Sequence, residues 1–313
     1  MFSLYIIDTR LDETLGIKID CIDKICASDI LDWVTPFFTL VTSRSVIKVA
    51  SVKCANLVDD KEYTYENGIF SLNSNLCKNK LLYNVMSISR LIFKIIASSK
   101  GFLNLHALCI THKNKGILFN ADRNGGKTTV MLKALRTKKF CLLANDQIMY
   151  SCNDRVGLGY PATIAFRRSS YEELDKRINE NALWYVDDCF QTNKPVIHIS
   201  KLVEYVDNDI INKSEIFIFV DYKKSQNPET LLFSDHGNLN VNMVELLLPF
   251  RKAYIGIFDS CLDAVARYYE TTNIQQYCVD DCRPSQTTLR YIDVECGYNK
   301  IDEMLHMLMA LLK

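Results

Sequence analysis

Residues 116–146, GILFNADRNGGKTTVMLKALRTKKFCLLAND, restrict the fold more than any other stretch of the chain. Residues 117–119 are a short apolar run suited to a buried strand. Residues 120–126 are a polar loop that ends on two glycines. The pattern then predicts a helix over 127–136, with Val130, Leu132 and Leu135 available for packing. Residues 140–144 form a second apolar run, ending on Asn145-Asp146. The order strand, loop, helix, strand, aspartate carries more weight than the loop alone.

The loop Ala121-Asp122-Arg123-Asn124-Gly125-Gly126-Lys127-Thr128 follows the phosphate-binding pattern G-x-x-x-x-G-K-[ST], except that Ala121 replaces the first glycine. Amides of such a loop and of the following helix N-terminus point at phosphate oxygens. Asp122, Arg123, Asn124, Gly125, Gly126, Lys127, Thr128 and Thr129 are therefore the candidate nucleotide-binding set. Gly125 and Gly126 let the backbone approach a ligand closely. Lys127 would reach the outer phosphates, and Thr128 would offer its hydroxyl to Mg²⁺. Ala121 is tolerated only at negative φ. The plainer alternative is a Gly-rich turn with a surface lysine. Asp146 weighs against it, because a return strand would bring its carboxylate beside the loop to hold Mg²⁺ or take a substrate proton.

The 313 residues suffice for one large domain or two modest ones. With 48% apolar and 24% charged residues, the composition is that of an ordinary globular protein. The formal net charge is zero, so no bulk electrostatic attraction to nucleic acid or anionic membrane is expected. The twelve cysteines are scattered without a CxxC spacing, which argues for buried reduced thiols over a zinc site and fits a cytoplasmic chain. The start, MFSLYIIDTRLDE, lacks the basic and apolar regions of a secretory signal. The most apolar window, residues 81–97, contains Asn84, Arg90 and Lys94 and is expected not to span a bilayer.

Residues 1–80 read as a small β-rich lobe, with runs at 4–7, 37–41, 46–49 and 68–72, a helical turn at 29–34 and a hairpin signal at Asn67-Gly68. The lobe carries no chemical motif; it is either structural or a surface for substrate or partner. Residues 81–99 predict a connecting helix, with Val85, Ile88, Ile92, Ile95 and Ile96 on one face. This helix is grouped with residues 81–313 as the second domain. Residues 103–111 predict one strand carrying His106, turning at 113–116 into a hairpin with 117–119. That pairing would bring His106 near the loop, although a lone histidine in an apolar strand is commonly a core residue. Arg167 and Arg168 follow a predicted strand at 163–166, where they would hold transferred charge or an acidic substrate, or simply be solvated. Ser170 and Glu173 open a predicted helix as a capping box. Residues 215–221, EIFIFVD, predict a buried strand, 226–242 a polar loop, 243–248 and 260–269 helices, 288–296 a last strand, and 301–312 a C-terminal helix.

The segment LHALCITHKNKGILFNADRNGGKTT…CLLAND resembles the HPr kinase/phosphorylase family. That family places a histidine-bearing strand, a hairpin, a P-loop, a helix, and a strand ending in two aspartates in this order. His106, Lys127, Thr128 and Asp146 fall on its motif positions; Ala121 and Asn145 depart from it. The resemblance implies an α/β (α+β) mixed-sheet fold with an HPr kinase/PEP carboxykinase-like P-loop core behind the β-rich lobe. The layout is also similar to HPr kinase-like enzymes of ribosomal-peptide (lasso-peptide) biosynthesis. It implies ATP- and Mg²⁺-dependent transfer to a hydroxyl, of a peptide serine or of a small molecule such as an amino acid. Asp146, His106, Lys127 and Arg167 would be the catalytic residues, and Thr128 and Asp146 the metal ligands. The family's later HPr-binding and phosphorylase signature is not found, which argues against HPr as acceptor. Neither nucleic acid nor membrane is expected as a partner, and a homo-oligomer is left open. A non-catalytic nucleotide-binding scaffold is the alternative that Ala121 and Asn145 favour.

Overall fold

The computed structural model describes residues 3–20, 25–43, 46–57, 61–122, 124–160, 163–165, 196–198, 202, 209–246 and 286–313. The chain divides into two compact units, Met1–Phe102 with Pro249–Arg283, and Leu103–Leu248 with Pro284–Lys313. Both contain mixed sheets, giving an α/β fold.

The first unit holds a six-stranded sheet, built from β1 (Ser3–Asp8), β2 (Asp12–Asp20), β3 (Thr39–Ser43), β4 (Ile47–Ala55), β5 (Tyr63–Glu66) and β6 (Ile69–Asn73) in the spatial order β3-β1-β2-β4-β6-β5. Asn67 and Gly68 adopt φ of 47° and 79° and join β5 to β6 as an antiparallel hairpin, the geometry of a two-residue primed turn. Helices α1 (Ala27–Val34) and α2 (Lys78–Ser99) pack on each other, and Phe38 meets Phe93 of α2 at a centroid distance of 4.8 Å. Helix α2 thus groups with the first unit, whereas the sequence reading placed residues 81–99 in the second domain. It is buried nearly all round, Lys94 included, so its pattern is that of a core helix rather than a one-sided connector. By length and composition alone α2 would pass as a membrane span, but 83% of its most apolar window is buried within the protein.

In the second unit the chain runs through β7 (Leu103–Leu105), β8 (Leu108–His112), β9 (Lys115–Asn120), α3 (Lys127–Arg136), β10 (Cys141–Ala144), β11 (Ile148–Ser151) and β12 (Val156–Leu158). Strands β13 (Thr163–Ala165) and β14 (Val196–His198) pair with each other. Then come β15 (Lys213–Lys224), β16 (Leu231–Asn242), a 3-10 turn (Met243–Leu246), β17 (Gln286–Cys296) and α4 (Ile301–Leu311). The main sheet follows the path β10-β8-β9-β15-β12-β11-β7, with β17 beside β15 and β16 beside β17. Because β7 runs on into β8 and β10 into β11, the two ends of this path are joined and the sheet curls back on itself. Helix α3 packs on β8, β10 and α4. A cluster around Leu118, Phe219, Tyr150, Met243, Leu246 and Leu289 forms a core of this unit.

Two expectations are corrected here. Residues 103–111 are two strands, broken at His106-Ala107, because the segment serves opposite ends of the curled path. Residues 231–242, expected as part of a polar loop, are a long strand paired antiparallel with β17. This edge strand is largely exposed, so ladder hydrogen bonds hold it without apolar alternation. Arg123, Arg167, Arg168 and the helices expected at 170–181 and 260–269 lie outside the described residues.

Candidate functional site

The parallel strands β9, β15 and β17 end on the same side of the sheet. Ligands in α/β sheets gather beyond such carboxyl ends, and the loop of interest leaves β9 there. Its two glycines serve different physical needs. Gly125 donates its amide to the Asp122 carbonyl at 2.8 Å. A Cβ on it would lie 2.9 Å from that carbonyl oxygen and 3.1 Å from the Asp122 nitrogen, both backbone atoms. Gly126 instead adopts φ of 94°, a left-handed conformation costly to other residues. Asn124 is also left-handed, at φ 70°. Ala121 is buried and is not among the described residues with positive φ, so the missing glycine imposes no backbone strain.

Gly126 is the N-cap of α3 and has no side chain with which to cap it. The first-turn amides of Lys127, Thr128 and Thr129 have no intrahelical acceptor. The loop is not sealed: Asp122 and Asn124 are exposed, and Gly125, Gly126, Thr128 and Thr129 are half-buried. The Lys127 ammonium folds back under the loop and donates to the Ala121 carbonyl at 2.6 Å. The residue is only 9% exposed. Burial pulls its pKa below the usual lysine value, while the carboxylates of Asp146 and Asp122 act in the opposite direction. A buried ammonium hydrogen-bonded to the Ala121 carbonyl, at the start of a helix whose first-turn amides lack intrahelical acceptors, suits an anionic ligand.

Asp146 reaches the site through strand register. Leu105 faces Ile148 across β7–β11, and Cys109 faces Ala144 across β8–β10. The two segments form one interrupted ladder, so the break at 106–107 lies opposite 146–147. His106 Nε2 and Asp146 Oδ1 are 2.7 Å apart, with side chains 35% and 58% exposed. The His106 amide donates to the Leu246 carbonyl at 3.0 Å, which fixes the histidine backbone. Asn145 precedes this carboxylate, and its Oδ1 is buried without a hydrogen-bond partner. An orphaned buried acceptor costs about 1–3 kcal/mol unless something donates to it.

Sequence reading overlooked residues of β15. Asn120 and Asp221 lie in register on the parallel pair, and Asn120 Nδ2 donates to Asp221 Oδ1 at 3.1 Å. By alternation they share the sheet face of Leu118 and Phe219, whereas Tyr222 and Lys224 face the other way. There a Cβ on Gly126 would be 3.4 Å from the Tyr222 ring. The acid closing the apolar run EIFIFV was a signal in the sequence; its place beside the loop was not. The structure therefore brings together His106, Lys127, Asp146 and the loop around Gly125-Gly126.

No family model matches the chain, and no curated protein matches it. Among solved structures, the Hpr(Ser) kinase/phosphatase from Coxiella burnetii aligns at 17% identity over 42% of this chain and 70% of that one, with a TM-score of 0.23. A likeness of that size establishes neither function nor membership of the family.

Proposed function

We propose that the second unit is a phosphotransferase that takes a nucleoside triphosphate, ATP in the first instance, and passes its terminal phosphoryl group to a hydroxyl, that of a serine in a ribosomally made peptide. The observation that carries this reading is the pair His106–Asp146 at 2.7 Å, with the Asp146 carboxylate close enough to Lys127 for their charges to interact. Open amides of the loop and of the first turn of α3 hold phosphate oxygens. The Lys127 ammonium turns from the Ala121 carbonyl to the developing charge. Asp146 accepts the proton of the attacking hydroxyl. His106, with its proton on Nε2, holds that carboxylate in place as the oxygen forms its bond to phosphorus. The Thr128 hydroxyl and Asp146 are the groups that would hold Mg²⁺, which supplies charge neutralisation across the phosphates when bound.

The test is transfer of label from γ-labelled ATP to serine-bearing peptides and to free hydroxy amino acids. Asp146→Asn is expected to lower transfer at least a hundredfold, a typical contribution of general-base catalysis, while leaving nucleotide binding in place. Full transfer by this variant would remove Asp146 as the base. Asn145, standing where a second carboxylate would assist, favours a competing reading as a nucleotide-binding scaffold. Tight triphosphate binding without turnover on any acceptor would select it.

A further inference from the structure

Lys224 lies at the end of β15, two residues beyond Tyr222 and on the same face of the strand. Its stem crosses the loop: a Cβ on Gly126 would lie 3.8 Å from Lys224 Cδ, next to the Tyr222 ring at 3.4 Å. Only one further methylene separates that carbon from the ammonium. Lys224 is exposed, and no carboxylate within the described residues pairs with it. It therefore stands, with no ion-pair partner among the described residues, beside the amino end of α3. That end already carries positive potential, so a cation there is unfavourable unless an anion joins it. A second observation points the same way. Lys127, under the same loop, is buried and, among the described residues, hydrogen-bonded to the Ala121 carbonyl alone. Two lysines, one at the start of α3 and one at the end of β15, thus lie beside the same loop.

We infer that Lys224 is a second phosphate-binding cation of the loop, selecting ligands with a polyphosphate chain over monophosphates. The inference rests on the proposed nucleotide reading and adds a specificity residue to it. Lys127 meets the phosphates from beneath the loop, and Lys224 from the side of β15. An anion between them relieves the repulsion that each feels from the helix end. A single phosphate is satisfied by the amides and Lys127; the length of a di- or triphosphate is what brings Lys224 into contact. Lys223, one residue earlier, faces the opposite side of the sheet and lies in register with Glu295, so it is a control of equal charge and nearly equal position.

The experiment measures binding of ATP, AMP and inorganic triphosphate to the full chain and to Lys224→Met, Lys224→Arg, Lys223→Met and Lys127→Met, with circular dichroism to confirm folding. Lys224→Met is expected to weaken ATP and triphosphate roughly tenfold, the scale of one charge-assisted contact, and to leave AMP unchanged. Its salt dependence should become shallower. Lys224→Arg should restore most of the loss, and Lys223→Met should bind as the parent does. Parent-like ATP affinity in Lys224→Met, alongside lost binding in Lys127→Met, overturns this inference and spares the nucleotide reading. Equal weakening by Lys223→Met also overturns it, because the effect would then be a general field. Absence of any nucleotide binding in the parent overturns both. The predicted pattern without phosphoryl transfer to any acceptor supports Lys224 and sinks the transfer reading.

Discussion

Replacing Lys127 by methionine separates what this lysine does for folding from what it does for ligand binding. The side chain is 9% exposed and donates a hydrogen bond to the Ala121 carbonyl at 2.6 Å. A hydrogen bond from a charged donor is worth about 1.5–3 kcal/mol. Against it stands the cost of taking an ammonium out of water, which the downward displacement of its pKa shows to outweigh the pull of Asp146 and Asp122. Methionine has a similar length and removes both effects while filling the same space. Lys127→Met is therefore expected to unfold within about 1 kcal/mol of the parent in urea. The pH dependence has a definite sign. With the folded pKa below the unfolded value of 10.5, the unfolded chain binds more protons on the alkaline side. The burial penalty, fully present below the folded pKa, is thus relieved as pH rises toward 10.5, and the parent gains stability there that the variant does not. Ligand reverses the balance. At a hundredfold excess over Kd, ATP stabilises the parent by about 2.7 kcal/mol, a rise in Tm of roughly 5–10 °C, and the variant should show almost none. Differential scanning fluorimetry with and without ATP reads this directly. A loss above about 3 kcal/mol without ligand would make Lys127 a structural residue, and an unchanged ATP-dependent rise would remove it from the phosphate site.

Two further predictions concern the frame around the site. A Cβ on Gly297 would collide with the backbone of Asn227 and Pro228, which cannot rotate aside; Gly297→Ala should cost about 1–3 kcal/mol with an unchanged urea m-value, and parent-like stability would show that this junction yields. Asp235 is held ionised below its usual range, first by hydrogen bonds from Arg290 and then by the Gly237 amide. Its stabilisation is present above the ordinary carboxylate value of 3.8 and lost as pH falls through the lower folded value. Asp235→Asn should cost at most about 1 kcal/mol at neutral pH, since the pair is partly exposed and screened, and nothing in strong acid. Equal losses at both pH values would place its role elsewhere than in the charge.

Local chemistry wrote much of this site into the sequence. Helix α3 spans the residues that its periodicity predicted, and Asn67-Gly68 makes its hairpin, because such features depend on neighbours a few positions away. The polar strand β16 was illegible for the opposite reason. Its hydrogen bonds come from β17, some fifty residues later by the pairing of Val241 with Thr287. The break at His106 was equally hidden, since LNLHALCIT is one apolar run until the sheet curls.

By itself, then, the sequence determined a Gly-rich turn between a strand and a helix, with a lysine at the first helical position and an aspartate after the next strand. Tertiary structure alone decided that β15 would lie parallel to β9, setting Asp221 beside Asn120 and Lys224 against Gly126. It also decided that the ladder joining 103–112 to 141–151 would set His106 on Asp146. Turns and helix starts are fixed by the steric limits of adjacent residues, whereas strand partners are chosen by burial of whole faces, a sum over the chain that no short window contains.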